Sequence, residues 1–188
     1  MAVIEVQHLS KEYHLVKKEG GIKGALKSLV SNEKKIIHAV KDLNFSIEKG
    51  EMVAFIGPNG AGKSTTVKMM SGILNPTGGE VRINGMNVQK HRKEVVQDLG
   101  VVFGQRTQLN WDLRLGESFE LMRHIYRIEP KVYEENMKIM DDILSINTII
   151  DIPVRQLSLG QRMRGDLVAA MLHSPSVLFL DEPTIGLD

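Results

Sequence analysis

Gly57-Pro58-Asn59-Gly60-Ala61-Gly62-Lys63-Ser64 is the stretch on which the fold turns. It matches the pattern G-x-x-x-x-G-K-[ST], a loop whose glycines let the backbone curl until consecutive N–H groups point at a phosphate. Lys63 adds a point charge near the outer phosphates, and a helix starting near Lys63 aims its positive N-terminal end at the same anion. Ser64 offers a hydroxyl to Mg²⁺, a cation that takes hard oxygen ligands. Chance yields such a match in roughly one chain per hundred of this length, so the surroundings matter. The loop follows an apolar run, Met52 to Ile56, and precedes a helical one, Ser64 to Met70, in the strand–loop–helix order the chemistry requires. The plainer alternative is a glycine-rich turn after a buried strand.

Outward from the loop, Val3 to Leu9, Lys41 to Ile47 and Glu80 to Asn84 read as strands, the last ending in the turn pair Asn84-Gly85. Met52 to Ile56, Val101 to Phe103 and Val177 to Leu180 are continuously apolar, which predicts parallel strands buried on both faces. Between Leu115 and Leu144, Phe119, Leu121, Met122, Ile125 and Tyr126, then Met137, Met140, Ile143 and Leu144, recur at helical spacing, with Pro130 dividing two helices. Another helix is expected from about Gly160 to His173. The plan is a small antiparallel sheet, a parallel α/β core and a helical insert. From Lys11 to Lys41, eight lysines face three glutamates. There Ile22, Ala25, Leu26, Leu29 and Val30 form an apolar stripe. It reads as a surface helix with solvated lysines, or as contact with anionic lipid or a membrane partner.

Composition narrows the function classes. The 188 residues suffice for one domain, and a net charge of +1 argues against binding nucleic acid through bulk electrostatics. With no cysteine, disulfides and thiolate metal sites are excluded, which fits a reducing compartment. Met1 to Glu5 shows no secretion signal, and the apolar runs are too short to cross a bilayer, so a membrane role requires another chain.

Two further segments carry chemistry. Val177-Leu178-Phe179-Leu180-Asp181-Glu182 is an apolar strand ending in two acids. Asp181 is placed to hold Mg²⁺ through its water shell, and Glu182 to orient or deprotonate an attacking water. Alone, the pair would be a strand leaving for solvent; beside a phosphate loop it is the second half of a site. In Leu157-Ser158-Leu159-Gly160-Gln161, Ser158 reads as an N-cap and Gly160 leaves backbone N–H groups open, making a second helix N-terminus suited to phosphate.

In this order the motifs resemble those of ATP-binding cassette (ABC) ATPases, over essentially the whole chain. The resemblance implies an α/β P-loop NTPase with a parallel core sheet, an N-terminal antiparallel β-subdomain and a helical subdomain insert. It implies one domain over 1–188, incomplete at its C-terminus. The β-subdomain and Walker A core take 1–100, the Gln105 loop and helical subdomain 105–165, and the Walker B core 166–188. Gly57, Pro58, Asn59, Gly60, Ala61, Gly62, Lys63, Ser64 and Thr65 would bind ATP, with Tyr13 stacked on adenine. Ser64, Gln105 and Asp181 would hold Mg²⁺, while Glu182, Gln105 and Lys63 would serve catalysis. Gly104 stands where the family often has an aromatic before Gln105, and Leu159 replaces the usual signature glycine. The signature Ser158, Leu159, Gly160 and Gln161 would act on the nucleotide of a second copy or paralogous subunit in a head-to-tail dimer. Asp188 would lie in the D-loop.

The sequence from Val101 to Leu113, Leu159, and the long segment between Tyr13 and Val40 resemble bacterial ABC-2-type exporters. This implies an ATPase on the inner face of the cell membrane, held there by a separate permease, with Trp111 near the groove that receives it. Alternatives are a soluble ABC ATPase of DNA maintenance or translation, or a fragment that binds nucleotide without turnover. The interval from Gln105 to Leu157 is too short for a chromosome-type coiled coil. No histidine follows Glu182, whereas the family expects a further strand and a switch histidine. The 188-residue chain alone is therefore expected to fold poorly and to turn ATP over slowly.

Overall fold

The computed structural model describes residues 2–16, 34–104 and 106–181, in two compact units divided between His91 and Arg92. The first is built on an antiparallel sheet of order β2-β1-β3-β4, with β1 at Ala2–Val16, β2 at Lys34–Glu48, β3 at Gly78–Ile83 and β4 at Met86–Asn87. Strand β1 is central, and Ile4, Val6 and Leu9 are buried. The β3–β4 connection is Asn84-Gly85, with φ of 49° and 76°, as a two-residue hairpin of the right twist requires. Helix α1, Lys63–Met70, packs on β2 and β3 and buries Val67, Met69 and Met70.

Both long strands exceed the expected limits. The predicted Val3–Leu9 and Lys41–Ile47 segments are the inner parts of a ribbon that continues to the pair Val16 and Lys34. Cross-strand partners sustain this extension even though Tyr13, Leu15, Ile36 and Ile37 remain exposed. The lysine-flanked stripe from Ile22 to Val30 lies outside the described residues.

The expected strand Met52–Ile56 is not one. No ladder pairs it among the described residues, and Met52 is 100% and Ile56 94% exposed. Phe55 makes an edge-to-face contact with Phe45, centroids 5.7 Å apart. An all-apolar strand has no polar face for an edge position; it needs neighbours on both sides and cover on both faces.

In the second unit, β5 (Leu99–Phe103) and β6 (Val177–Asp181) pair in parallel, from Leu99 opposite Val177 to Phe103 opposite Asp181. Helix α2 (Arg92–Val96) precedes β5. The predicted two-sided burial of β6 fails: Val177 and Phe179 are buried, whereas Leu178 and Leu180 are exposed. With a single neighbour and cover on one face, the side chains of β6 alternate. Helices α3 (Leu115–Ile125) and α4 (Pro130–Leu144) divide at Pro130, which takes the first helical turn where its missing N–H does no harm. They close a core around Phe119, Leu115, Ile146 and Leu172 with α5 (Leu159–Met171), which also packs on β5. No helix among the described residues is long and apolar enough to cross a membrane.

Candidate nucleotide site

The loop from Gly57 to Gly62 leads into α1, whose N-cap Gly62 makes no side-chain capping bond. Gly62 is the N-cap, with φ 85°, and its backbone rests against the Ala39 carbonyl of β2. A Cβ there would collide with that oxygen, so both conformation and space demand glycine. Lys63 arches back, its Nζ donating to the carbonyls of Gly57 at 2.7 Å and Pro58 at 3.0 Å. The Ala61 N–H donates to Pro58, tightening the turn. Thr66, buried, donates its hydroxyl to the Gly62 carbonyl at 3.0 Å and anchors the first turn. The ammonium is thus held over the loop by the Gly57 and Pro58 carbonyls, close to where a phosphate loop places its anion.

Tyr13 sits within β1 opposite Ile37, not beyond the strand. It is 40% exposed, with the Lys11 ammonium 5.4 Å from its ring centroid. Lys11 itself pairs with Val40, the residue against which Gly62 packs, and donates to the Asn75 carbonyl at 2.8 Å. Tyr13 therefore lies two strand positions from the loop's anchor.

In the second unit, register places Asp181 at the last rung of β6, level with Phe103. The Gly104 N–H donates to the Asp181 carbonyl at 2.8 Å, so the chain leaves β5 at the level where this acid emerges. Gln105, Glu182 and Asp188 lie outside the described residues. The donor set proposed for a metal (a hydroxyl at Ser64, an amide oxygen at Gln105, a carboxylate at Asp181) is hard oxygen throughout, which fits Mg²⁺. Among the described residues no group of three His, Cys, Asp or Glu side chains forms a metal site of another kind.

The signature opens α5 as the sequence suggests. Ser158 accepts from the Gln161 N–H at 3.2 Å, while Gln161 Oε1 accepts from the Ser158 N–H at 2.8 Å, a complete capping box. Ser158 and Leu159 are exposed and Gly160 half-exposed, so this N-terminus is open to solvent. Trp111 is half-exposed and stacked beneath the Arg162 guanidinium, 4.6 Å from its centroid.

One buried polar cluster escaped the sequence. Asp166, buried in α5, accepts from the Thr107 hydroxyl at 2.9 Å and the Gln108 N–H at 3.0 Å. Burial pushes its carboxyl up to about 6, against the opposing pull of those donors and of Arg162. The available signal was an acid inside the apolar helical run from Gly165 to Ala170.

Known proteins resemble this chain in sequence. The family described as ABC transporter matches residues 40–185. The probable multidrug ABC transporter ATP-binding protein YbhF of Escherichia coli K12 is 34% identical over 150 residues, 80% of this chain and 26% of that protein. The ABC transporter ATP-binding protein NatA of Bacillus subtilis 168 is 31% identical over 157 residues, 84% of this chain and 64% of NatA. A solved dimer of the ATP-binding cassette MJ0796, in a post-hydrolysis state with ADP and Pi, superposes with a TM-score of 0.77 at 26% identity, covering 98% of this chain and 76% of that one. The chain thus spans about a quarter of YbhF and under two thirds of NatA. The chain belongs to the ABC transporter family, among its ATP-binding proteins.

Proposed function

We propose that this chain is the ATP-binding and ATP-hydrolysing part of a membrane exporter. The observation that carries the reading is the Gly57–Ser64 loop, with Gly62 locked against Ala39 and Lys63 held over the Gly57 and Pro58 carbonyls. The loop's N–H groups and Lys63 bind the phosphates, and Tyr13 offers an exposed ring to adenine. Ser64, Gln105 and Asp181 would hold Mg²⁺, which supplies charge neutralisation on the phosphates when bound. Glu182 accepts a proton from, or orients, the attacking water.

The open, capped N-terminus of α5 supports a head-to-tail pair of subunits, in which Ser158, Leu159, Gly160 and Gln161 complete the site of the other copy. MJ0796 is dimeric with ADP and Pi, which supports the same arrangement here. A separate permease would hold the protein at the inner face of the membrane, and the multidrug description of YbhF favours export.

MgATP binding and turnover of the full-length protein test the reading. Lys63→Ala is expected to lose both, whereas Glu182→Gln is expected to bind ATP and lose turnover by about a hundredfold or more. Unchanged turnover in Glu182→Gln would remove Glu182 from its role. Co-purification with ribosomes or DNA, in place of a membrane subunit, would overturn the transport reading.

A further inference from the structure

Among the described residues Asp166 is the one carboxylate that is buried, and it stands in the middle of the helix that Ser158 opens. Its Oδ1 takes two hydrogen bonds from the segment after Gln105, from the Thr107 hydroxyl and the Gln108 N–H. Gln108 replies through Nε2, donating to the Asp166 main-chain carbonyl at 3.1 Å. The Thr107 hydroxyl, already a donor to Asp166, accepts from the Leu109 N–H at 3.1 Å. Beside this network Gly165 leaves no slack: a Cβ there would stand 2.9 Å from methyls of Leu109 and Leu115. The charged groups lining the small cavity around Asp166 are Arg106 and Arg162.

Packing alone does not call for this arrangement. An apolar side chain would fill the same space without burying a carboxylate, but it would leave the Thr107 hydroxyl and the Gln108 N–H without their acceptor. What the carboxylate adds is direction. Two donors converging on one oxygen, with a return bond to the helix backbone, fix the loop and the helix in one relative geometry.

We propose that Asp166 is a positioning residue of the ATPase, clamping residues 107–109 to the signature helix so that a displacement of either is passed to the other. The proposal rests on the reading of the chain as an ATPase in which the Gln105 loop and the signature serve different sides of the nucleotide chemistry. It assigns the coupling between them to side chains outside both motifs.

Full-length protein carrying Asp166→Ala, Asp166→Asn or Thr107→Val tests it, with turnover measured across MgATP concentrations and thermal unfolding recorded for each. Asn keeps an oxygen for both donors, Ala keeps none, and Thr107→Val leaves only Gln108. The expected result is a kcat lowered about tenfold or more in Asp166→Ala and by less in Thr107→Val, with Asp166→Asn within about threefold of the parent. KM for ATP should stay within about threefold throughout, because the phosphate loop is untouched. A folded Asp166→Ala with parental kcat overturns the proposal, as does Asp166→Asn failing as badly as Asp166→Ala. If Asp166→Ala does not fold, a folded Thr107→Val with parental kcat overturns it equally. A parent protein that neither binds nor hydrolyses ATP overturns the underlying ATPase reading, and the proposal with it.

Discussion

The backbone of Gly62 rests directly on the carbonyl of Ala39, and the Val40 methyl stands 3.1 Å from where a Gly62 Cβ would be. The phosphate loop is thereby aligned by the antiparallel sheet: the β2 backbone sets where α1 begins, and α1 sets where its N–H groups point. Sequence-local chemistry and a contact about twenty residues away in the chain meet at one atom.

Gly62→Ala is therefore expected to weaken nucleotide binding at least tenfold. Forcing a side chain to φ 85° costs on the order of 1–3 kcal/mol, and the collision with β2 displaces the helix start as well. Titration calorimetry with a non-hydrolysable ATP analogue measures this. Gly60→Ala, at φ 83° but with open space around it, is the milder comparison.

Ser158→Ala removes the cap of α5 and leaves the Gln161 N–H without its acceptor. The stability loss should be about 1 kcal/mol, read from denaturant unfolding. Turnover should fall well beyond what that loss explains, because the same hydroxyl is assigned to the partner's nucleotide. Matching losses in both assays would leave Ser158 with the cap alone.

The raised carboxyl of Asp166 makes a signed statement about pH. Its folded value is about 6 against an ordinary 3.8, so the folded state holds the proton more tightly than the unfolded chain. The stabilisation from this group is fully present below about 3.8 and is lost as pH rises through about 6. Asp166→Asn cannot ionise. Its stability relative to the parent should increase between those limits, by at most about 3 kcal/mol, and then level off. Denaturant unfolding of both proteins across that range checks the sign.

His173 carries the opposite sign. Its ring stacks on Tyr126 with centroids 4.0 Å apart, Nε2 lies 3.0 Å from the Leu99 carbonyl, and Nδ1 is buried without a partner. Burial lowers its value below the ordinary 6.5, because protonation would place a second N–H where nothing accepts it. Its contribution to stability is present above 6.5 and lost as pH falls through the lower folded value. An imidazole titration by NMR should place His173 below 6.5; a midpoint at or above that value would refute the argument.

What the sequence made legible was what local pattern determines. The octapeptide at Gly57, the Asn84-Gly85 hairpin, the helices parted at Pro130 and the cap at Ser158 each rest on residues a few positions apart, and each stands in the structure. Met52–Ile56 did not follow its pattern, because a strand exists only with a partner and hydrophobicity does not supply one. The outer halves of β1 and β2 were hidden for the converse reason, since cross-strand pairing sustains a ribbon that no local alternation marks. Asp166 was visible as an acid in an apolar helix, but its partners lie 58 and 59 residues earlier in the chain. The placing of Gln105 and Glu182 lies outside the described residues.

The exposed run from Met52 to Ile56 is also expected to bear on how the chain behaves in concentrated solution. Its backbone joins no ladder among the described residues, and its terminal side chains face water. A short apolar segment of this kind is a template for strand pairing between molecules. Loss of soluble protein should then rise steeply with concentration while the melting temperature stays the same. Because Met52 is fully exposed, a lysine there should slow that association without disturbing the loop that begins at Gly57.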